Sequence, residues 1–238
     1  MQNARDAERH LSEGVFALSD KYRLKYKKGE EAKYISHLDF VRAIGRTFKR
    51  AEIPVKYSQG FNPHIIMTVA LPISVGVLSD SEYMDVELTE NMNTDELKKR
   101  INGKIPMGLE ILDVKKVNEG ERALSKVMSA KYLVLCESED AIDGKAIEIF
   151  LENENITVEK KTKKGVSDVD IRPDIISISY LGKDNVSDVF EMHLSAGSSA
   201  NLKPETVLSA MEKYLGYKAE HTQVKRINMY FENCINIF

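Results

Sequence analysis

The stretch KYRLKYKKGEEAKYISHLDFVRAIGRTFKRA, Lys21 to Ala51, changes its apolar period partway along, and that change decides the fold. In its first part Tyr22, Leu24 and Tyr26 alternate with Arg23, Lys25 and Lys27, the two-residue period of a strand with one apolar face. Ser36 then opens an S-x-x-D sequence, a capping-box-like helix start with Asp39 in the place of the usual Glu. From there to Ala51 the period is helical. At about 100° per residue Phe40, Val41, Ile44, Thr47, Phe48 and Ala51 share one face, and Arg42, Arg46, Lys49 and Arg50 share the opposite one.

Beyond this strand and helix, HIIMTVALP and EYMDVEL read as two further strands; in the latter Met84, Val86 and Leu88 alternate with Tyr83, Asp85 and Glu87. A helix from about Thr94, with Asn93 as cap and Gly103 as stop, leads to the strand GLEILDVKKV. Strand, helix, strand, strand, helix, strand is the ferredoxin-like order. After a hinge near Asn118 to Ser129 the order recurs: KYLVLCE, a helix from about Asp140 to Asn153, IISISYL, VFEMHLS, a helix opened by Pro204, and QVKRINMYF. The expected fold is therefore α+β, two tandem ferredoxin-like domains over residues 20–118 and 129–238. Residues 1–19 read as a peripheral extension with no legible chemistry.

The repeat isolates two loops at the same topological place. Pro54 to His64, containing KYSQGFNPH, separates the first helix from the second core strand. Ile156 to Asp174 does the same in the second half, where Lys160, Lys161, Lys163 and Lys164 crowd a turn at Gly165, the pattern of a short exposed hairpin.

Composition narrows the function classes. The 238 residues are 42% apolar and 30% charged, with a net charge of -3, ordinary for a soluble globular chain. The average hides an asymmetry, because Lys21 to Lys56 holds eleven Lys/Arg against four Asp/Glu. Such a cluster suits an anionic partner without making the whole protein basic. Cys136 and Cys234 stand far apart, without metal or redox spacing, so neither a disulfide framework nor a zinc site is signalled and a reducing cytoplasm is expected. No run approaches the ~18 apolar residues of a membrane span.

The candidate site residues follow from their chemistry. Arg presents planar forked donors that match phosphate and stack on bases, and Arg42, Arg46, Lys49 and Arg50 lack acidic residues at i+4 that would neutralise them. The competing reading is a solvated helix face, with Arg23, Lys25 and Lys27 paired across the sheet to Asp85 and Glu87. In KYSQGFNPH, Gly60 permits positive φ and Pro63 holds Asn62 extended, which shapes a turn. A turn alone does not require Tyr57, Gln59, Phe61 and His64, a set able to stack on bases and bond their edges. The bland alternative has Phe61 plugging the core. Lys160, Lys161, Lys163 and Lys164 make a positive loop, with Arg172, held by Pro173, as a nearby anion contact. His37 and His64 are the candidate acid/base groups, although neither stands in a metal motif, and SAGSSANLKP lacks P-loop spacing.

Taken together, YISHLDFVRAIGRTFKRAEIPVKYSQGFNPH, SVGVLSDSEYMDVEL and KKTKKGVSDVDIRP resemble the radical-SAM-linked protein family, over about Tyr22 to Glu232. This is a bacterial domain of unknown function found fused to, or encoded beside, radical S-adenosylmethionine proteins. The resemblance implies a radical S-adenosylmethionine protein as partner. With no C-x-x-x-C-x-x-C the chain cannot hold that cluster, and no cofactor of its own is expected. A more distant architectural likeness is to the CRISPR repeat-processing endoribonucleases, whose Gly-rich loop is missing here before QVKRINMYF. The expected function is an RNA-binding adaptor that presents structured RNA to the partner enzyme. The alternatives are a metal-independent endoribonuclease using His37 or His64, and a structural protein-interaction partner of that enzyme.

Overall fold

The computed structural model describes residues 20–162 and 165–238. The N-terminal extension, Lys163 and Lys164 lie outside the described residues. In chain order the main elements are β1 (Asp20–Lys28), α1 (His37–Arg50), β2 (Met67–Val69), β3 (Leu78–Leu88), α2 (Thr94–Asn102), β4 (Leu109–Lys116), β5 (Ser129–Glu137), α3 (Gly144–Glu152), β6 (Thr157–Thr162), β7 (Gly165–Asp170), β8 (Ile175–Asp184), β9 (Ser187–Ser195), α4 (Pro204–Leu215) and β10 (His221–Tyr230). Eight strands form one mixed sheet in the order β4-β1-β3-β10-β5-β9-β8, with β2 also on β3, while β6 and β7 form a separate two-stranded sheet.

The caps read in the sequence start these helices. Ser36 Oγ accepts from Asp39 N, and Asn93 Oδ1 accepts from both Asp95 N and Glu96 N. The third helix begins later than Asp140, because Asp143 is the residue whose carboxylate takes Ala146 N. Two apolar cores result. The first joins Tyr22, Leu24 and Tyr26 of β1 to Phe40, Ile44 and Phe48 of α1 and to Met84, Val86 and Leu88 of β3. The second is built on β5, β9, α3 and α4, and it also takes in Tyr83 from β3. The expected hinge at 118–129 is packed structure, since Leu124 and Val127 are buried in the second core and a Cβ on Gly197 would lie 2.4 Å from Val127 O.

The two halves meet where β10 runs parallel to β3, through only Lys225 opposite Leu78 and Arg226 opposite Ser79. So short a ladder is reinforced by side chains. Arg226, 2% exposed, grips Glu82, 1% exposed, through Nε–Oε1 at 2.8 Å and Nη2–Oε2 at 2.6 Å, and also donates to Leu71 O at 2.8 Å. On the other face of β3, Arg23 holds Asp85 at 2.8 and 2.9 Å and donates to Arg122 O, with the Phe231 ring 5.9 Å away. Arg23 thus pairs across the sheet as the structural reading required, whereas Lys27 pairs with Glu110 instead of a β3 carboxylate.

Removing one partner of a buried pair strands the other charge in low dielectric, at a cost of about 3–5 kcal/mol. Arg226→Ala should therefore lower the unfolding free energy by that amount in urea titrations. The combined replacement Arg226→Met with Glu82→Leu should recover most of the loss. A single variant within about 0.5 kcal/mol of the parent would show that the pair does not join the halves.

Candidate nucleic-acid interface

The segment between α1 and β2 is a two-armed loop tied down along both arms. Thr89 N donates to Pro54 O and Lys56 N donates to Glu87 O, both at 2.8 Å; Ile66 N donates to Lys56 O at 2.9 Å and Glu87 N to Ile66 O at 3.1 Å. Further out, Tyr57 faces Ile65 and Ser58 N donates to His64 O at 2.8 Å. The Ser58 hydroxyl then closes the neck, accepting from His64 N at 3.1 Å and lying 2.8 Å from His64 Nδ1. One ring nitrogen of His64 is thereby oriented, which leaves Nε2 for another partner.

Above this neck, Gln59, Gly60, Phe61, Asn62 and Pro63 are all exposed, and Tyr57 is half exposed. Gly60 has φ 121°, a conformation that the missing Cβ makes accessible. Phe61 is fully exposed, so it does not plug the core. The neck explains why: with both arms held to β3, the chain cannot fold the tip down onto apolar surface.

The inner arm lies along α1. A Cβ on Gly45 would come 3.5 Å from Ile65 Cδ1, so the absence of a side chain there sets how closely loop and helix approach. Between them runs a groove lined by His37, Val41, His64, Ile65, Met67 and Val69, of about 580 Å³ counting the space open to solvent. His37 and His64, which stand in separate motifs of the sequence, line one groove.

Of the basic face of α1, all four side chains are exposed, but they are not equally free. Arg42 pairs with Asp39 at 3.2 Å, and Arg50 turns away to donate to Lys104 O at 2.7 Å, fastening α1 to the end of α2. Arg46 and Lys49 make no hydrogen bond or ion pair among the described residues. A search for acids at i+4 misses both ties, because Asp39 lies three residues before Arg42 and Lys104 is far away in the chain. The Ser36 hydroxyl, followed by Arg42 and Arg46, holds the Asp39 carboxyl below its usual range.

The second-half loop is the expected hairpin, β6 on β7, with Lys161 opposite Val166 and Lys160 exposed. Arg172 is not displayed to an anion, since its Nε donates to Leu151 O at 3.0 Å and its Nη1 to Ile175 O at 3.2 Å, holding the end of α3 against β8. Two further side chains bear on the groove and the sheet beneath it. Val41 packs against the first core, as its place on the apolar helix face implies, and also lines the groove, and Lys28 lies buried in line with Tyr26. Alternation signalled the latter, because Lys28 falls on the same strand face as Tyr22, Leu24 and Tyr26.

Full exposure makes a clean prediction for the tip. Phe61→Ala should change unfolding free energy by less than about 0.5 kcal/mol. Gly60→Val should cost more, on the order of 1–3 kcal/mol, because a β-branched residue resists positive φ. Equal effects of the two variants in thermal and urea unfolding would refute this geometry.

No helix among the described residues is long and apolar enough to cross a membrane. Among solved structures, the chain is similar to a chain in the crystal structure of a Cbf5-Nop10-Gar1 complex, with 9% identity and a TM-score of 0.47, covering 90% of this chain and 50% of that one. It thus spans about half the length of that relative. It is also similar to a dye-decolorizing protein from V. cholerae, with 12% identity and a TM-score of 0.22, covering 87% of this chain and 91% of that one. No curated protein matches the sequence. A family model matches residues 21–204, so the chain belongs to the family described as uncharacterized protein conserved in bacteria (DUF2344).

Proposed function

We propose that the protein binds RNA at the loop of Tyr57 to His64 and the adjoining face of α1, stacking an unpaired base on Phe61. The observation that carries this reading is the full exposure of Phe61 on a loop whose neck is tied to β3. An aromatic ring held in water by a firm backbone loses little conformational freedom when a base stacks on it. Arg46 and Lys49 supply unengaged positive charge on the exposed face of α1, while Gln59, Asn62 and His64 offer donors and acceptors for base edges. Lys160 would add sequence-independent attraction from the second half.

Each half also supports a ferredoxin-like reading. The sheet orders β4-β1-β3-β2 and β10-β5-β9-β8 both place the fourth strand beside the first, then the third and second. The resemblance to the radical-SAM-linked family adds the proposal that a radical S-adenosylmethionine protein is the partner to which the RNA is presented. Its recovery with the tagged chain from native cells, dependent on RNA or not, tests that link.

For RNA itself, affinity should fall with salt at a log-log slope of about -0.7 per contacted phosphate on single strands. Arg46→Ala with Lys49→Ala should flatten that slope, and Phe61→Ala should weaken single-stranded RNA by about 1–3 kcal/mol. Unchanged binding by both folded variants would remove this surface from the site.

One observation favours a second reading, metal-independent RNA cleavage: His37 and His64 line the same groove. Two imidazoles can divide the acid and base roles when a ribose 2′-hydroxyl attacks the adjacent phosphate. Cleavage to 2′,3′-cyclic phosphate ends, abolished by His37→Ala or His64→Ala, would establish it. Unchanged RNA lengths leave the protein a binder.

A further inference from the structure

A second hollow shares His37 and Val69 with the His37–His64 groove and reaches Pro72 and Ile73, and there Tyr26 and Lys28 line it with Ile35, Ser36 and Phe40. Its volume is about 280 Å³, again counting space open to solvent. Lys28 is 5% exposed, and its ammonium has one hydrogen bond, to Ile35 O at 3.2 Å. The other buried Asp, Glu, Lys and Arg side chains among the described residues are matched. Arg23 holds Asp85, Arg226 holds Glu82 through both oxygens, and Asp188 accepts from Tyr180 and Tyr217 with Lys183 3.6 Å away. Lys28 alone among them has no ion pair.

A buried cation is ordinarily paired, because the loss of hydration is not otherwise offset. Glu82 is near enough to act on Lys28, but its two oxygens are engaged by Arg226, which opposes it; burial dominates and lowers the Lys28 pKa. Beside it, Tyr26 is 3% exposed and its hydroxyl makes no hydrogen bond among the described residues, although the ring stacks on Phe40 at 5.0 Å. Burial, then Glu82, pushes the phenol pKa well up, so the group remains a proton donor. The register of β1 against β3 shifts between Tyr26 and Lys28, where the strand departs from regular pairing.

We propose that Tyr26 and Lys28 form the floor of a binding site for a phosphate group, borne by a small phosphate ester or by an RNA end entering from the His37–His64 groove. A phosphate oxygen can accept from both the phenol and the ammonium, giving Lys28 a counter-charge and the Tyr26 hydroxyl a protein-independent acceptor. The first turn of α1 contributes little, because Asp39 already stands at that terminus and bonds Ser36. His37, lining both hollows, borders the entrance.

The test is calorimetric titration of the full chain with inorganic phosphate, and with one oligoribonucleotide carrying either a 5′-phosphate or a 5′-hydroxyl. The parent should bind phosphate, and Lys28→Met and Tyr26→Phe should each weaken it by about ten- to a hundredfold. Without phosphate, both variants should melt no lower than the parent, because they remove an unpaired charge and an unbonded hydroxyl. A preference for the 5′-phosphate strand that disappears in Lys28→Met identifies an RNA end as the source. Phosphate binding without such a preference identifies a free small ester. No binding by the parent overturns the proposal, as does full affinity in Tyr26→Phe, which keeps the ring packing even should Lys28→Met fail to fold. Phe61→Ala should leave inorganic phosphate binding intact, so failure of the RNA reading and failure of this site are separable.

Discussion

The bidentate contact of Arg226 with Glu82 is the constraint on which the rest of the molecule depends. Two residue pairs of parallel ladder are too little to hold two halves in one sheet, and parallel pairing is no stronger per residue than antiparallel. The guanidinium converts that short contact into a fixed relation, because its forked geometry accepts one carboxylate orientation and its remaining donor takes Leu71 O. Leu71, at φ 35°, begins the turn after β2, so the same arginine sets where the groove ends.

A second consequence concerns charge. Arg226 saturates Glu82 and thereby leaves Lys28 without a partner, although all three lie on the same buried side of the sheet. A structure that matched every buried charge would have a closed floor here; this one has a cation and a phenol facing a groove. Arg23 and Asp85, on the opposite face of β3, are matched and covered by the C-terminal segment around Phe231 and Ile237. One face of the central strands is thus sealed by the tail, while the other opens beside α1.

The loop from Tyr57 to His64 reaches the same groove by a different means. Its arms borrow the free edge of β3 beyond the point where β10 leaves it, and Ser58 with His64 closes the neck. Everything outside that neck is held out in solvent by covalent reach, which is why a phenylalanine can stand there unburied. Gly45 lets the inner arm settle on α1, bringing His64 into a groove with His37, the first residue of that helix. Backbone bonds do the positioning, and the side chains at the tip are left for contact.

Much of this was determined by the sequence alone, wherever the physics is local. Alternation in Tyr22 to Tyr26, the helical face from Phe40 to Ala51, the caps at Ser36 and Asn93, and the helix start at Pro204 each depend on a few neighbouring residues, so each was legible without tertiary structure. Long-range pairing was not legible. Arg42, Arg50 and Arg172 have the same composition-level signature as Arg46, yet Asp39, Lys104 O, and the carbonyls of Leu151 and Ile175 engage them, and only packing brings the distant carbonyls within reach. The sequence likewise placed Lys28 on an apolar strand face but could not say whether a carboxylate would meet it. Tertiary structure decided that, because the nearest candidate, Glu82, was claimed by an arginine from the last strand of the chain.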